Sequence, residues 1–232
     1  MLEHCLREDL NAKAYRMCAV LDPIKLVIEN WPEDKEEDVE LENLPGSETA
    51  GTRKVAFGKE LYIERDDFMA EPIKKYRRLY PGNEVRLYKA YLVTCTGYDT
   101  DENGNVTCVH ATYDPATFGG DAPDGRKVRG TIHWVSAKEN TPLTARIYDR
   151  LFNVENPSDD SGVSSFEENL NPDSLTEKQG YGEVALATAK AGDRFQFMRD
   201  GYFCMDKDSA PGAPVFNRTV ALRDSFNIKK NK

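Results

Sequence analysis

From Met17 onward the chain is a succession of short strand-like segments, and this pattern limits the fold more than any other feature. The segments are rich in apolar, β-branched and aromatic residues, and turn signals such as Asp22-Pro23 and Asp200-Gly201 separate them. Many short strands create many exposed edges, which closure of a sheet removes. The pattern predicts an all-β fold of two small antiparallel β-barrels rather than one open sandwich. The predicted strands cover residues 17–21, 24–29, 55–63, 84–96, 106–113, 130–136, 145–151, 181–187, 194–205 and 215–222.

Two segments are predicted to be helical. Leucines at helical spacing in residues 2–12 indicate the end of a helix that belongs to an upstream domain. The adjacent carboxylates Asp66 and Asp67 precede an apolar pair, which is typical of a helix start. We therefore expect a short helical excursion near residues 66–79.

Charge is distributed in blocks along the 232-residue chain, whose formal net charge is −9. Residues 33–48 hold eight carboxylates and one lysine, and residues 155–177 hold seven carboxylates without a lysine or arginine. The two blocks together carry −14, which leaves +5 for the rest of the chain. The acidic total therefore does not exclude an RNA partner, and we interpret both blocks as solvated loops.

Composition also bears on compartment and redox state. No apolar run approaches the ~20 residues that a membrane-spanning helix needs, so a membrane partner is not expected. The N-terminus lacks the basic start and apolar run of a signal peptide, which predicts a cytoplasmic protein. The five cysteines are widely separated and include no Cys-x-x-Cys pair, so we expect reduced thiols.

Residues 74–89 form a basic segment threaded with tyrosines, in which six cations oppose one carboxylate. Lysine and arginine neutralise phosphates, while tyrosine rings and arginine planes stack on unpaired bases, so the segment favours RNA binding. The alternative is a solvated basic helix end followed by an amphipathic strand. A second patch, residues 125–130, pairs cations with the aromatic-bearing segment that follows, and its alternative is a cationic turn before a core strand.

The sequence offers little for catalysis. The three histidines His4, His110 and His133 are not spaced as metal ligands or as a nucleophile–base pair. The pairs Asp66-Asp67 and Asp159-Asp160 are weak acid–base candidates, and no phosphate loop, dinucleotide fingerprint or nucleophile elbow occurs. We therefore predict no catalytic residue and no metal ligand in this chain.

Several strings together resemble the C-terminal anticodon-binding region of bacterial-type glutaminyl-tRNA synthetase, a class I aminoacyl-tRNA synthetase. They are Arg-Glu-Asp-Leu-Asn at residues 7–11, Ala-Val-Leu-Asp-Pro-Ile-Lys-Leu-Val-Ile-Glu-Asn at 19–30, Gly-Arg-Lys-Val-Arg-Gly-Thr-Ile-His-Trp-Val-Ser-Ala at 125–137, Tyr-Asp-Arg-Leu-Phe at 148–152, Gly-Tyr-Phe-Cys at 201–204 and Val-Phe-Asn-Arg-Thr at 215–219. The likeness covers essentially the whole chain.

The resemblance implies two ribosomal-protein-like β-barrels that grip the anticodon loop of glutamine tRNA. On this basis we expect a helical tail at residues 1–15, a first barrel at 16–137 and a second at 138–232. An alternative is that the two barrels share the first strands. It further implies that the ATP- and magnesium-dependent ligase half is absent, because neither a His-Ile-Gly-His nor a Lys-Met-Ser-Lys-Ser motif occurs. The expected chain is thus an inactive C-terminal fragment without a cofactor of its own, monomeric, with the tRNA and its own catalytic domain as partners.

Family contacts carry over residue by residue. Arg16 and Gln179 match the positions that read the central uridine of the anticodon. Arg77 and Arg78 match the pair that holds the third base, and Arg86 matches the contact to the first base. Lys75 joins this anticodon-binding set, although relatives often carry a polar amide there and a lysine at the position of Arg77. The expected phosphate-backbone contacts are Lys74, Lys89, Arg126 and Lys127.

Two other functions stay open at this stage. The barrels could act mainly as a docking module that relays anticodon occupancy to the catalytic half. The chain could also be a stand-alone RNA-binding barrel protein, which a reading frame continuing upstream of Leu2 would exclude.

Overall fold

The computed structural model describes residues 2–156 and 165–223, and it consists mainly of strands. The predicted all-β class is confirmed, as is the N-terminal helix α1 (Leu2–Asn11), which packs through Leu10 against Tyr202 and Val220. The carboxylate pair at residues 159–160 lies outside the described residues. The strands are β1 (Tyr15–Met17), β2 (Ala19–Val20), β3 (Pro23–Ile28), β4 (Glu37–Glu42), β5 (Thr52–Phe57), β6 (Glu60–Glu64), β7 (Glu84–Leu87), β8 (Leu92–Thr100), β9 (Val106–Tyr113), β10 (Thr131–Ile132), β11 (Val135–Ser136), β12 (Thr141–Tyr148), β13 (Leu175–Gly182), β14 (Arg194–Phe197), β15 (Gly201–Met205) and β16 (Val215–Val220).

The first barrel is a seven-stranded sheet in the order β10-β7-β8-β9-β3-β6-β11. Its two edge strands, β10 and β11, are halves of one chain segment separated only by His133 and Trp134. The chain thus closes the sheet by bending at these two residues, whose side chains are 1 % exposed. Alternating inward residues such as Leu26 and Val109 fill the interior.

The second barrel uses the same device in the order β1-β14-β15-β16-β12-β13-β2. Its edges, β1 and β2, are again one segment, bent at the buried Cys18. Phe197, Phe203 and Phe216 dominate its core. The sequence predicted residues 16–20 at the start of the first barrel, with sharing between the barrels as an alternative. In the structure, β1 and β2 pair with strands of the second barrel.

The acidic block at residues 33–48 was predicted to be a solvated loop, but part of it is a strand. Residues 37–42 form β4, which pairs with β5 in a two-stranded antiparallel sheet. Val39 and Leu41 are buried in the first core, while the alternating carboxylates Asp38, Glu40 and Glu42 are exposed. The high charge of the outward face hid an amphipathic strand whose inward positions are apolar.

The helical excursion predicted near residues 66–79 is largely wrong. Only one turn of 3₁₀-helix forms, at Arg65–Asp67, and turns and extended chain follow it. Pro72 disfavours helical geometry at the residue before it, and Lys75 has a φ of +73°, which ends any right-handed helix. None of the helices in the described ranges is long and apolar enough to cross a membrane.

Candidate RNA-binding surface

The two basic segments, which are distant in sequence, lie against each other in the first barrel. β10 pairs in parallel with β7, and the Gly130 carbonyl accepts a hydrogen bond from the Arg86 backbone N–H at 3.0 Å. Gly130 has a φ of +109°, and a β-carbon there would lie 1.9 Å from the Arg77 carbonyl oxygen. Only glycine permits this approach, so Gly130 joins residues 125–130 to residues 74–89.

Their junction forms a cleft of about 420 Å³, here called the basic cleft. Lysine and arginine, two tyrosines, an asparagine and one carboxylate line it. Its residues are Lys75, Tyr76, Arg77, Tyr80, Asn83, Glu84, Lys127, Val128 and Arg129. The four cations are all exposed, so their charge is available to an anionic ligand.

Tyr76 anchors the loop that carries two of the four cations of the cleft. Its hydroxyl donates to the Asp66 carbonyl at 2.9 Å, and burial raises its pKa to about 12. Its ring lies 6.4 Å from that of Tyr80, centre to centre. The two exposed cations Lys75 and Arg77 flank this anchor, and the exposed Lys74 precedes them on the same loop.

Arg78 does not line the basic cleft but reaches into the junction between the barrels. Its Nη1 donates to Oδ1 of Asp67 at 2.5 Å, and the Asp67 side chain is fully buried. Arg199, from the β14–β15 turn of the second barrel, grips the same carboxylate with two bonds of 2.6 and 2.7 Å. Although burial opposes it, the bond to Asp67 keeps the pKa of Arg199 above its ordinary value. Asp67, which the sequence suggested as a helix start, is the centre of this Arg78–Asp67–Arg199 clasp.

Arg86 is held by the backbone of neighbouring turns. Its guanidinium donates to the carbonyls of Ala90 at 3.0 Å and Thr117 at 2.6 Å, and also to that of Gly120. Burial lowers its pKa, although it stays charged at neutral pH. Three of its five N–H donors are used in this way, and its Nε–H has no hydrogen-bond partner among the described residues.

Arg126 is surrounded by carboxylates. It contacts Glu84 at 2.9 Å, Asp114 at 2.6 Å and Asp124 at 2.7 Å, and these bonds raise its pKa. Its charge is therefore compensated locally. Lys127, one residue on, is exposed and lines the basic cleft.

Arg16 and Gln179 lie in the second barrel, remote in sequence from the basic cleft. In β1, Arg16 donates to the side chain of Asn11 at 2.7 Å and to the Ala14 carbonyl at 3.1 Å. Gln179 faces outward in β13, where its Oε1 accepts from the Thr144 hydroxyl at 3.1 Å. The structure thus places both on the same sheet but with separate partners. Lys89, with a φ of +56°, lies 3.4 Å from a carboxylate oxygen of Glu42.

Sequence reasoning did not single out Arg129, Tyr80 or Asn83 as site residues. Arg129 was visible as a cation of the second patch, two residues after Lys127 and hence on the same side of an extended chain. Its place in the cleft depends on Gly130, whose close contact with residue 77 has no signal in the sequence.

A buried histidine and a half-buried carboxylate also meet where the two barrels touch. His133 Nε2 lies 2.7 Å from the Ala19 carbonyl, which can only accept, so Nε2 carries the proton. Burial lowers the pKa of His133 to about 4 and raises that of Asp200 to about 8. Asp200 Oδ2 has no hydrogen-bond partner among the described residues.

These values predict how stability depends on pH. Between about pH 4 and 8 the folded chain keeps a proton on Asp200 that the unfolded chain has lost, so the free energy of unfolding falls as pH rises. His133 acts oppositely between about pH 4 and 6.5, which leaves pH 6.5–8 as the clear window. There, Asp200→Asn should flatten a slope of up to about 1.4 kcal/mol per pH unit in urea denaturation. Equal slopes for both proteins would contradict the assignment.

Comparisons with known proteins show which family of domains the chain matches. Residues 14–114 and residues 131–206 match two families, each described as tRNA synthetases class I (E and Q), anti-codon binding domain. The chain is 54% identical over 227 residues to a glutamine–tRNA ligase of Bradyrhizobium diazoefficiens, and 51% identical over 226 residues to one of Vibrio cholerae. Each alignment covers 97% of this chain but 40% of the relative, so the chain spans less than half the length of these proteins. The chain belongs to the anticodon-binding domains of the class I tRNA synthetases for glutamate and glutamine.

Proposed function

We propose that this chain reads the anticodon loop of glutamine tRNA for glutaminylation, with ATP and magnesium used by a catalytic portion that lies outside it. The observation that carries the proposal is the basic cleft, where two distant segments place four exposed cations beside two tyrosines in a chain of net charge −9. Unpaired anticodon bases can splay out, stack on aromatic rings and expose their edges to arginine. A mismatched base would leave those donors unsatisfied, which costs binding free energy.

The surroundings suggest a division of labour among the cations. Lys75, Arg77 and Arg129 line the cleft and are free to meet base edges, while Lys127 lies where it can neutralise a phosphate. Arg78 and Arg86 each keep unused donors while part of the guanidinium is held by protein groups. Such partial engagement fixes their direction in advance, which lowers the entropy lost on binding RNA. Acidic surface outside the cleft, including β4, repels RNA from the wrong places.

Binding of labelled anticodon stem-loops tests the role of the cleft. Arg77→Ala and Arg129→Ala should each weaken binding by ~1–3 kcal/mol, and Lys127→Ala should reduce the salt dependence by about one charge. Lys54→Ala is the matched control, because Lys54 is 76% exposed on β5 and faces Asp38 instead of the cleft. Equal losses for Lys54→Ala and Arg77→Ala would refute a localised site.

A second prediction concerns the central base. Arg16→Ala should remove the preference for the natural central uridine, because the matched position contacts that base in the family. Lys89→Ala should instead weaken binding to all loops alike, as expected for a backbone contact. Fluorescence titrations with loops that differ only at the central base distinguish the two. Retention of the preference in Arg16→Ala would show that Arg16 does not read this base.

The docking alternative rests on a specific observation. Arg53 of β5 donates two hydrogen bonds to Glu183 of the second barrel, which adds a second ion pair between the barrels to the Arg78–Asp67–Arg199 clasp. Two barrels joined by these ion pairs could couple RNA binding to a conformational change in a catalytic portion. Absence of stem-loop binding at low salt would favour this function over direct reading.

A further inference from the structure

The outer face of the β8–β9 hairpin in the first barrel gathers three side chains of metal-ligating type. In β9, Val109 and Ala111 point into the core, so Cys108 and His110 share the opposite face. The register places Asp99 of β8 directly across from Cys108. One residue each of thiol, imidazole and carboxylate thus meet on a single solvent-facing patch.

Irregular pairing between β8 and β9 accompanies this meeting, since the register shifts between Cys95 and Gly97 and again between Asp99 and Thr100. The pairing shifts from Cys95↔Ala111 to Gly97↔His110, which leaves Thr96 as the extra residue. A bulge redirects the side chains that follow it, and here it turns Asp99 toward His110. The hydroxyl of the bulged Thr96 also donates to Glu29 at 2.8 Å, which fixes that carboxylate beside the hairpin.

The ligand atoms are already close together. Nε2 of His110 lies 2.8 Å from Oδ2 of Asp99, and one ligand atom from each of Asp99, Cys108 and His110 lies within 4.8 Å of the other two. Tetrahedral zinc with bonds of about 2.0–2.3 Å needs ligand atoms roughly 3.4–3.7 Å apart. Small rotations of side chains that are half-buried or exposed would reach that spacing.

We propose that this patch is a binding site for a divalent zinc ion, held by Cys108 Sγ, His110 Nε2 and Asp99 Oδ2, with water as the fourth ligand. A mixed sulfur, nitrogen and oxygen set favours zinc over magnesium or calcium, which prefer oxygen alone. On binding, the thiol S–H bond breaks, its proton passes to solvent, and a sulfur–zinc bond forms. The existing hydrogen bond between Asp99 and His110 is replaced by their bonds to the metal.

Glu29 supports the site from outside. Its Oε1 lies 3.9 Å from Nδ1 of His110, the nitrogen that does not face Asp99. A carboxylate behind a ligating histidine favours the tautomer whose Nε2 is free for the metal, and such partners commonly change affinity 10–100-fold. Because Glu29 follows β3, the ion would link three strands of the first barrel.

The other cluster of similar composition lacks this chemistry. Glu64, His133 and Asp200 also lie close together, but His133 Nε2 donates to the Ala19 carbonyl. Its Nδ1 faces the guanidinium of Arg199 at 3.5 Å, so a cation would meet a positive charge there. On the β8–β9 hairpin, by contrast, the ring nitrogens of His110 face the carboxylates of Asp99 and Glu29, so a cation would meet negative charge there.

Titration of the reduced 232-residue chain with cobalt(II), a spectroscopic substitute for zinc, tests the site. One equivalent should produce the near-ultraviolet band of a thiolate–cobalt bond, and zinc should displace it. Cys108→Ser should abolish the band and weaken zinc binding at least about 100-fold, and Glu29→Gln should weaken it roughly 10-fold. Cys204→Ser, in β15, is the matched thiol control and should keep both the band and the affinity.

Folding of the variants is checked by thermal melting without metal. Asp99→Asn provides a second route, because this side chain is 63% exposed and its change should leave the apo melting temperature alone while reducing zinc affinity. The proposal fails if stoichiometric cobalt gives no thiolate band, if Cys108→Ser retains it, or if Asp99→Asn binds zinc as tightly as the unaltered chain.

Discussion

Asp67→Asn should lower the free energy of unfolding by about 3 kcal/mol, the largest stability effect that we expect from a single polar change. The carboxylate is fully buried between Arg78 and Arg199, so its loss leaves two guanidinium groups without their shared anion. For a chain of this size, the melting temperature should fall by roughly 6–12 °C. Thermal melting followed by circular dichroism measures this directly.

Asp66→Asn is the matched control for that experiment. Asp66 is the adjacent carboxylate but is exposed, and only its backbone carbonyl accepts the Tyr76 hydroxyl. Its replacement should change the unfolding free energy by less than about 0.5 kcal/mol. The Asp67 variant should in addition bind stem-loops with less discrimination at the third base, because Arg78 loses its fixed direction. Equal stability of the two variants would show that the clasp contributes nothing to the junction.

Gly130→Ala should damage the fold and the basic cleft together. A left-handed φ costs a residue with a β-carbon roughly 1–2 kcal/mol, and the contact with the Arg77 carbonyl forces a backbone shift that costs a similar amount again. We expect a loss of about 3 kcal/mol in stability. Stem-loop binding should weaken by roughly tenfold or more, since residues 125–130 would move away from residues 74–89.

Gly125→Ala separates the effect of backbone strain from the effect of a steric clash. Gly125 has a φ of +74°, but nothing lies within 4 Å of the position that its β-carbon would occupy. This variant should therefore show only the conformational cost of about 1 kcal/mol and retain RNA binding. If both glycine variants lost binding equally, close packing at Gly130 would not be what assembles the cleft.

The sequence predicted the strand-rich class because period-two patterning and turn chemistry are local properties. It missed β4, since the glutamates around Val39 and Leu41 dominate the composition of that segment. The prediction of a helix near residues 66–79 was wrong for a different reason. Asp67 has the residue type of a helix start, but burial with two arginines determined its conformation instead.

The candidate site shows the same limit of local reasoning. Each basic segment was recognised, but their union depends on pairing between β7 and β10, which lie more than 40 residues apart. Arg86 and Arg126 look alike in sequence to Arg77 and Arg129. Only the structure shows that carbonyls hold part of the Arg86 guanidinium and that carboxylates surround that of Arg126. Likewise, Asp99 and His110 meet across a hairpin, where spacing along the chain carries no signal.

The bent strand at residues 15–20 has a consequence for synthesis on the ribosome. This segment precedes its partners β13 and β14 by some 160 to 180 residues. At about 5–20 residues per second, it waits roughly 8–36 s without its final neighbours while the first barrel is completed. A strand left unpaired for that long is a target for chaperones and for pairing with another nascent chain.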